Sequence, residues 1–585
     1  MIPRPSSLAP SERAKHLLVC LSESAQLEEL LLQLAEVPGC HVDRSGSWPR
    51  ILHRDEELVL HPAQERGEIL ELLHSGYYNF VVLDLRGLAG GDQHLEHAFR
   101  CAASLVDALA GGADVETGYG FHRIIALVSA GDDDRADSLI ADLGRRGVGR
   151  VLRDRTPRPR SAPQDPRSTA FAKLFLDEVH RRAAARKVGR RALCCSGGGI
   201  TGIYFEMGVL KCFDDCLSGD GVGAFDDYYG ISAGAIVNGF LANGFTIDEL
   251  FAAVAGHDGG RLGKIDFSLF QLRHLNLAAY GRRLVDQARD FAGQVAGSLR
   301  GQSRLSLEGL VLRYGDLLLP PLRGDAFEEV LREIFSRPGV SDDFRQLRRR
   351  LFVGATDQDR RSHVVFGSPG HDDVPVSKAI HASFALNPAF ASTRIGNAYY
   401  EDGAVTRTSN FTEAITNGAD LVIIVDPFVP YVSRERGEAH RRGFFYNIDQ
   451  DVRTLSYTRF ERARVDSLRK QPWVSTYTFL PANRLRQLMS QNPMDHRPYL
   501  PIWRGAYLST LRRLHAVAHR LGGDLRTHGL TLDTRRADAV ADRLEHTRAP
   551  GLADFFPDGR ILLHAPEAAP SSLGDGRGGA RQLSA

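Results

Sequence analysis

The sequence lacks any unbroken run of about 18 apolar residues, the length that a membrane-spanning helix needs. Its first residues, MIPRPSSLAPSERAKH, also lack the apolar core of a secretory signal. Cysteines are few, seven in 585 residues; Cys212 and Cys216 could share a helix face, but no His or Cys pair at zinc-binding spacing lies near them. We therefore expect a cytoplasmic protein with reduced thiols, no metal and no cofactor, and with at most peripheral contact to a membrane.

An excess of either charge is also missing, because 73 basic and 72 acidic residues leave a formal net charge of +1. This balance gives no support to a nucleic-acid partner, and we predict none. The hydrophobic content of 43% and the charged content of 25% are ordinary for folded globular domains.

Apolar strand-like segments alternate with helical patterns on both sides of a Pro/Arg/Ser-rich segment, RTPRPRSAPQDPRS. Such alternation is typical of parallel sheets covered by helices on both faces. We predict two α/β domains followed by helices. The predicted division is a polar tail (1–15), an α/β domain (16–154), a linker and helix (155–189), a second α/β domain (190–430), a helical C-terminal extension (431–548) and a tail with a disordered end (549–585).

Three consecutive glycines follow the apolar run ALCC and precede a helical pattern, in SGGGITG. Gly197, Gly199 and Gly202 fit the G-x-G-x-x-G spacing of a dinucleotide site. That site needs an acidic residue at the end of the next strand, whereas Asp226 and Asp227 precede the next strand candidate. A tight turn without a ligand is the second alternative. The third is an oxyanion hole, in which bare N–H groups at a helix N-terminus stabilise negative charge.

The next strand-turn-helix segment favours the oxyanion hole. Its turn is Gly230-Ile231-Ser232-Ala233-Gly234, which fits the G-x-S-x-G pattern of a nucleophile elbow. In such a turn the small neighbours let the strand and the helix approach each other, and the serine hydroxyl is exposed. Two adjacent turns at one edge of a parallel sheet would hold a nucleophile and an anion cradle close to one carbonyl group.

A serine nucleophile needs a base, and AYYEDGAVTRTSN offers one in Asp402, followed by the small residues Gly403 and Ala404. The plainer alternative is an ordinary Asp-Gly turn.

Together the three segments resemble the patatin-like phospholipase family. Gly197 to Gly202 is similar to its glycine-rich loop, Gly230 to Gly234 to its serine elbow, and Asp402-Gly403-Ala404 to its aspartate motif. Thr356-Asp357, the Ala382 to Ala385 segment with Pro388 and Phe390, and, more weakly, residues 492–514 extend the resemblance.

The resemblance implies a serine acyl hydrolase with a Ser–Asp dyad that acts on phospholipid or lysophospholipid. Ser232 would attack the ester carbonyl and Asp402 would take its proton. The N–H groups of Gly198, Gly199 and Ile200 would form the oxyanion hole.

The chain departs from the family pattern at three positions. Thr201 stands where many members have Lys or Arg, and Ser196 stands where many have Asp. Asn410 approximates an Asn-x-Pro motif but lacks the proline. The first departure bears on head-group preference.

Two alternative functions remain. In a Ser-His-Asp esterase a histidine after Asp402 would be the base, and His440 is the candidate, since His381 precedes Asp402. In the other alternative, a signalling protein binds lipid without turnover.

The first α/β domain resembles a degenerate response-regulator receiver domain. Asp84 ends one apolar strand, like a phosphoacceptor, and Ser129 ends the next, like a switch residue. Ser22, Glu23 and Ser24 stand in place of the acidic pair, and Arg150 and Arg153 in place of the lysine. We expect a regulatory or docking role, with a partner bound through this domain.

The fold class predicted for the whole chain is α/β. A patatin-like three-layer α/β/α catalytic domain follows a receiver-like doubly wound domain and precedes a helical region.

Two basic segments, residues 180–191 and 503–520, are candidates for transient contact with an anionic membrane surface, the second through Arg504, Arg512, Arg513 and Arg520. FSLFQL and LLLPPL, within 245–345, are candidates for a lid or an acyl-chain pocket.

Overall fold

Two large β-sheets organise the chain in its computed structural model, and a third sheet near the C-terminus has two strands. The structure describes residues 14–21, 24–54, 56–76, 78–86, 123–129, 134–155, 166–184, 189–257, 260–267, 289, 324–387, 389–471, 473–556, 560–563 and 581–584.

The strands are β1 (Ala14–Leu21), β2 (His41–Asp43), β3 (Arg50–His53), β4 (Glu56–Ala63), β5 (Phe80–Asp84), β6 (Ile124–Ser129), β7 (Val151–Asp154), β8 (Arg190–Cys195), β9 (Asp227–Ile231), β10 (Arg350–Asp357), β11 (Ser362–Phe366), β12 (Thr393–Ile395), β13 (Ala398–Asp402), β14 (Ala419–Val425), β15 (Ser475–Phe479), β16 (Arg560–Leu563) and β17 (Arg581–Ser584).

The α-helices are α1 (Ala25–Ala35), α2 (Arg66–Ser75), α3 (Asp134–Arg145), α4 (Pro166–Ala184), α5 (Gly199–Cys216), α6 (Ala233–Ala242), α7 (Ile247–Val254), α8 (Asp325–Phe335), α9 (Val376–Phe384), α10 (Phe411–Thr416), α11 (Glu438–Arg441), α12 (Phe444–Lys470), α13 (Asn483–Met489), α14 (Tyr499–Thr527) and α15 (Arg535–His546).

The N-terminal sheet has the strand order β2-β3-β4-β1-β5-β6-β7. The five strands from β4 to β7 are parallel, while β2 and β3 form an antiparallel hairpin that extends the β4 edge. Without the hairpin, the order is the 2-1-3-4-5 order of one class of doubly wound folds. The predicted α/β fold of this part is confirmed, and its likeness to a receiver domain stays a prediction.

The second sheet has the order β12-β13-β10-β9-β8-β14-β15, and β11 also pairs with β10. Its central strands are parallel, and their side chains are almost all buried because helices cover both faces. One face packs against α5 and α6, with α14 packed outside α5, and the other packs against α10 and α12. The predicted three-layer α/β/α architecture is confirmed.

The predicted helical region after residue 431 contains five helices among its described residues and also one strand that was not predicted. β15 pairs in parallel with β14 and extends the second sheet by one strand. Its sequence, STYTF, alternates polar and aromatic residues and so lacks the continuous apolar run that marked its neighbours.

Most basic residues predicted to meet a membrane interact within the protein instead. Arg190 and Arg191 pair with Asp227 and Asp226, and Arg182 pairs with Glu178. Arg520 is buried with its guanidinium over the Tyr477 ring, which corrects its assignment to a surface.

Two further sequence predictions fall largely outside the part of the chain that the structure describes. They are residues 185–188 of the first basic segment and, apart from Phe267, the lid candidates at 267–272 and 317–322. No helix among the described residues combines the length and the apolar character that crossing a bilayer requires.

Candidate active site

Ser232 lies in a strained turn between β9 and α6. Its φ of 52° and ψ of −115° fall in a region that non-glycine residues rarely adopt. Its N–H donates to Ser383 Oγ at 2.8 Å, and Ser383 in turn donates to the Gly354 carbonyl at 2.6 Å. These bonds hold the turn in the conformation expected of a nucleophile elbow.

The glycines on either side of Ser232 allow β9, α6 and β8 to approach closely. A Cβ on Gly230 would lie 2.4 Å from the Ala235 Cα, and one on Gly234 would lie 2.2 Å from the Cys195 carbonyl oxygen. Both distances are shorter than any real contact, so larger residues would push the helix away from the sheet.

Asp402 ends β13 and reaches Ser232. Its side chain is buried, its Oδ1 accepts the Ala404 N–H at 2.8 Å, and it lines the same cavity as Ser232. Burial raises the pKa of Asp402 to about 7, although the Ala404 N–H and the Ser232 hydroxyl both lower it. The next residue has to be glycine, because a Cβ on Gly403 would lie 2.5 Å from the Gly354 carbonyl oxygen. A carboxyl group in this state can exchange a proton with the hydroxyl near neutral pH.

The glycine loop runs from the end of β8 into α5 and passes directly beside Ser232. A Cβ on Gly197 would lie 3.3 Å from the Ser232 Cβ, and one on Gly198 would lie 2.8 Å from the Pro427 Cγ. Gly199 has a φ of +65°, and a Cβ there would lie 2.7 Å from the Pro493 carbonyl oxygen. The backbone therefore has to be bare at this point.

The loop presents free donors. Within the part of the chain that the structure describes, the N–H groups of Gly198, Gly199 and Ile200 have no hydrogen-bond acceptor. The next two N–H groups are occupied, since Thr201 donates to the Pro493 carbonyl at 3.1 Å and Gly202 to the Gly198 carbonyl at 3.0 Å. The buried Thr201 side chain approaches the same Gly198 carbonyl at 3.4 Å, so it acts within the loop.

Ala233 was not predicted as a site residue. Its N–H directly follows Ser232 and also has no acceptor among the described residues. The G-x-S-x-G pattern could have indicated this N–H, because in nucleophile elbows the residue after the serine donates its backbone N–H to the oxyanion.

An apolar cavity of about 190 Å³ opens beside these groups. Ser232, Asp402 and the loop glycines line one part of it. Apolar side chains line most of the rest, namely Ile200, Ile203, Ile236, Phe384, Leu386, Ala389, Phe390, Phe428, Pro493 and Met494. A hydrocarbon chain fits such a lining, because nothing there needs a polar partner.

A chain of hydrogen bonds connects the main chain at Asp402 with the main chain at the elbow. The Thr356 hydroxyl donates to the Asp402 carbonyl at 3.0 Å and lies 2.9 Å from the Thr406 hydroxyl. His363 follows, with Nδ1 2.7 Å from the Thr406 hydroxyl and Nε2 2.8 Å from Asn410 Oδ1.

Asn410 completes the chain, because its Nδ2 donates to the Gly230 carbonyl at 3.4 Å. Burial lowers the pKa of His363, which favours a neutral ring that donates from one nitrogen and accepts at the other. Thr356 and Asn410 were noted in the sequence, but His363 was missed because no local pattern marks it.

Neither histidine considered for a triad lies at the cavity. His440 is exposed on α11, and His381 is buried on α9 beside Phe384, 3.9 Å from the Asp325 carboxylate. Among the described residues, those lining the cavity include no histidine. The described residues also contain no group of three or more His, Cys, Asp or Glu that could hold a metal ion.

Asp84 and Ser129 lie at the ends of the adjacent strands β5 and β6, as expected. The Asp84 carboxylate is fully buried and accepts two hydrogen bonds from the Arg86 guanidinium, at 2.9 and 2.7 Å. Arg86 also donates to Asp154 and to Gln33, each at 2.8 Å. The carboxylate is therefore held within the protein, and its role as a phosphoacceptor stays a prediction.

Comparison with known proteins gave a family match and similarities to solved structures. Residues 193–415 match the model of the family described as patatin-like phospholipase. The chain is similar to VipD from Legionella pneumophila at 14% identity and a TM-score of 0.23, covering 54% of this chain and 66% of that one. It is also similar to the type III effector protein ExoU at 16% identity and a TM-score of 0.19, covering 63% and 68%. The chain thus spans slightly less than two thirds of VipD, and no curated protein matched it.

Proposed function

Because residues 193–415 form a patatin-like phospholipase domain, we propose that this protein is a serine acyl hydrolase that cleaves fatty-acyl esters of phospholipids or lysophospholipids. At the level of the family, the domain is that of a lipid acyl hydrolase. The observation that carries the proposal is the contact between a strained serine and a buried carboxyl group beside unoccupied N–H donors.

In the proposed first step, the Ser232 hydroxyl attacks the ester carbonyl and its proton passes to Asp402. The N–H groups of Gly198, Gly199 and Ile200 stabilise the tetrahedral oxyanion, and Ala233 is a further candidate donor. One donor of this kind typically contributes about 10²–10³ to turnover. Collapse of the intermediate breaks the ester bond, and the lipid alcohol leaves with the proton from Asp402.

In the second step, water attacks the acyl-serine and Asp402 takes its proton. The intermediate collapses, the fatty acid leaves, and Ser232 regains its proton. The apolar cavity supports this assignment, because a fatty-acyl chain would lie among Phe384, Phe390 and Phe428 while the ester faces the dyad. The mechanism needs no metal and no cofactor.

The proposed test measures fatty-acid release from a phospholipid, a lysophospholipid and a soluble short-chain ester. The wild type should cleave at least one of these substrates, and a fluorophosphonate probe should label Ser232. Ser232→Ala should abolish both, and Asp402→Asn should reduce turnover by about 10²–10⁴, the usual contribution of a general base.

Three results would contradict the proposal. Ester cleavage that persists in both Ser232→Ala and Asp402→Asn would contradict the assignment of these two residues as nucleophile and base. If the folded wild type neither reacts with the fluorophosphonate probe nor hydrolyses any of the three substrates, the alternative of lipid binding without turnover would be favoured. Loss of activity in His440→Ala would favour a Ser-His-Asp esterase, whereas the dyad predicts full activity.

For the N-terminal α/β part, residues 16–154, we propose a regulatory or docking role. Arg123, directly before β6, forms a buried ion pair with Asp524 of α14 at 2.6 Å, and Asp524 accepts the Tyr477 hydroxyl from β15 at 2.7 Å. A change in the first sheet can therefore reach the edge of the second sheet through one buried carboxylate.

A further inference from the structure

Helix α12 exposes apolar side chains on one face. Ile448, Val452 and Leu455 are 41%, 40% and 65% exposed, and their spacing of four and three residues places them on the same side of the helix. We call these three residues the α12 stripe. Single exposed apolar residues are ordinary, but a row of three on one helix face marks a surface that contacts something apolar.

The α12 stripe lies beside the cavity of the candidate active site. Asp449, the residue directly after Ile448 on α12, lines the cavity. Ala404 also lines it and directly precedes Val405, which is 38% exposed. The Arg459 guanidinium on α12 donates to the Val405 carbonyl at 3.3 Å, so the two segments are in contact. Exposed apolar residues therefore adjoin cavity-lining residues in both segments.

A third segment follows the same pattern. Phe428 lines the cavity, and Val432, four residues later, is 61% exposed. Asn483 holds Val432 in place by accepting its N–H at 3.0 Å and donating to its carbonyl at 2.8 Å. This apolar side chain is thus presented to solvent on a fixed backbone.

Charge on the same helix indicates the kind of surface that would be bound. The stripe continues at helical spacing into Arg459 and Arg462, both exposed, and Asp451 is the acidic residue exposed between Ile448 and Arg462. An apolar stripe that continues into arginines suits a lipid surface with anionic head groups, because the apolar part enters the acyl boundary while the cations remain at the head groups.

We propose that the α12 stripe, with Val405 and Val432, is the surface by which this protein docks on anionic lipid membranes. The proposal rests on the proposed function, since a hydrolase of membrane lipids must draw an acyl chain from the bilayer into its cavity. The docked stripe would place the cavity next to the surface from which that chain comes.

The first test is vesicle co-sedimentation of the full chain carrying Ser232→Ala, so that the lipids stay intact. Vesicles of phosphatidylcholine with phosphatidylglycerol should bind it, and adding Val452→Ser and Leu455→Ser should lower the partition coefficient about tenfold. The matched control is Leu32→Ser with Leu174→Ser, which changes residues 51% and 42% exposed on α1 and α4 and should leave binding unchanged.

The second test separates the charge contribution. Arg459→Gln with Arg462→Gln should weaken binding to the mixed vesicles but not to vesicles of phosphatidylcholine alone, and added salt should have the same effect. Equal losses on both kinds of vesicle would contradict the anionic assignment.

The third test keeps docking and catalysis apart. In the active chain, Val452→Ser with Leu455→Ser should leave hydrolysis of a soluble monomeric ester unchanged and lower hydrolysis of vesicle lipid. If the stripe variant binds vesicles like its control, or if the wild-type surface binds no vesicles, docking through α12 is overturned. If the soluble ester is not hydrolysed even by the wild type, the proposed function fails while the binding result still stands.

Discussion

Asp402 shows how burial can prepare a weak base. An exposed aspartate has a pKa near 4 and has little tendency to take a proton from a hydroxyl group. Inside the protein the desolvation of its charge outweighs the influence of the Ala404 N–H and the Ser232 hydroxyl, and the pKa rises to about 7. The group that could serve as the base therefore also lowers the stability of the folded protein when it is ionised, because its charge is buried.

The pH dependence of turnover follows from this pKa. Asp402 must be ionised to accept a proton, so hydrolysis of a soluble ester should rise through about pH 7 and fall about tenfold per unit below pH 6. Asp426 is the control, because burial raises its pKa to about 7 as well. A pH–rate profile that keeps this limb in Asp426→Asn supports Asp402 as the base, and loss of the limb in that variant contradicts it.

The free energy of unfolding should change with pH in the opposite direction to turnover. Because the folded-state pKa of Asp402 is raised, the folded protein holds the proton more tightly and loses stability as the pH rises from about 4 to about 7. Asp402→Asn removes this cost, so it should stabilise the protein by a few kcal/mol at pH 8 and by little at pH 4. Urea unfolding at both pH values measures the difference, and equal effects would contradict the buried charge.

Thr406 tests the hydrogen-bond chain between the dyad and the elbow. Thr406→Val keeps the shape but removes the hydroxyl between Thr356 and His363, so kcat should fall about tenfold with little change in KM. Thr406→Ser restores the hydroxyl and should restore kcat. Steady-state kinetics on a soluble ester measure both values, and an equal loss of kcat in the two variants would indicate a packing effect instead.

Among single residues, the sequence predicted those whose role depends on residues nearby in the chain. Ser232 and the glycines follow from local patterns, since the turn itself excludes side chains. His363 could not be predicted, because its partners come from segments more than 40 residues away and nothing nearby marks it.

Helix α6 can begin directly after Ser232 only because its first turn lies almost against β8. Gly234→Ala would place a Cβ 2.2 Å from the Cys195 carbonyl oxygen, so the helix must move away from the sheet. We expect a loss of several kcal/mol or a failure to fold. Gly144→Ala on α3 is the control, because open space surrounds that position and the change should stabilise by about 0.4–1 kcal/mol. Thermal or urea unfolding compares the two, and a small loss in Gly234→Ala would contradict the close packing.

Elements with long apolar runs were predictable, and short or polar ones were not. β8, β9, β10 and β14 are buried on both faces and read as continuous apolar segments. The hairpin of β2 and β3 has an exposed side, and β12 spans three residues, so neither gives a clear pattern.

At the scale of the whole molecule, the buried pair of Arg123 and Asp524 connects the N-terminal sheet with α14, and Asp524 also accepts the Tyr477 hydroxyl of the second sheet. Removing one partner leaves an uncompensated buried charge, so Arg123→Met should cost about 3–5 kcal/mol. Arg44→Met, which breaks a surface pair with Glu28, should cost less than about 1 kcal/mol. Equilibrium unfolding checks both values, and similar small losses would mean that Arg123 carries no such coupling.

The sequence predicted both α/β parts but not their junction. An arginine directly before a strand and an aspartate 401 residues later carry no mark of being partners. Only the folded arrangement of β6, α14 and β15 brings them together.

The support for the glycine loop comes from beyond the 193–415 match. Pro493 supplies the carbonyl against which Gly199 and Thr201 rest, and β14 and β15, which also lie beyond the match, cover the edge that β8 would otherwise leave open. A fragment cut at the ends of the match would keep the proposed nucleophile and base but lose the Pro493 carbonyl that supports the glycine loop. It would also expose a hydrophobic strand edge to aggregation. Any chimera or minimal enzyme built from this chain has to carry its C-terminal residues along.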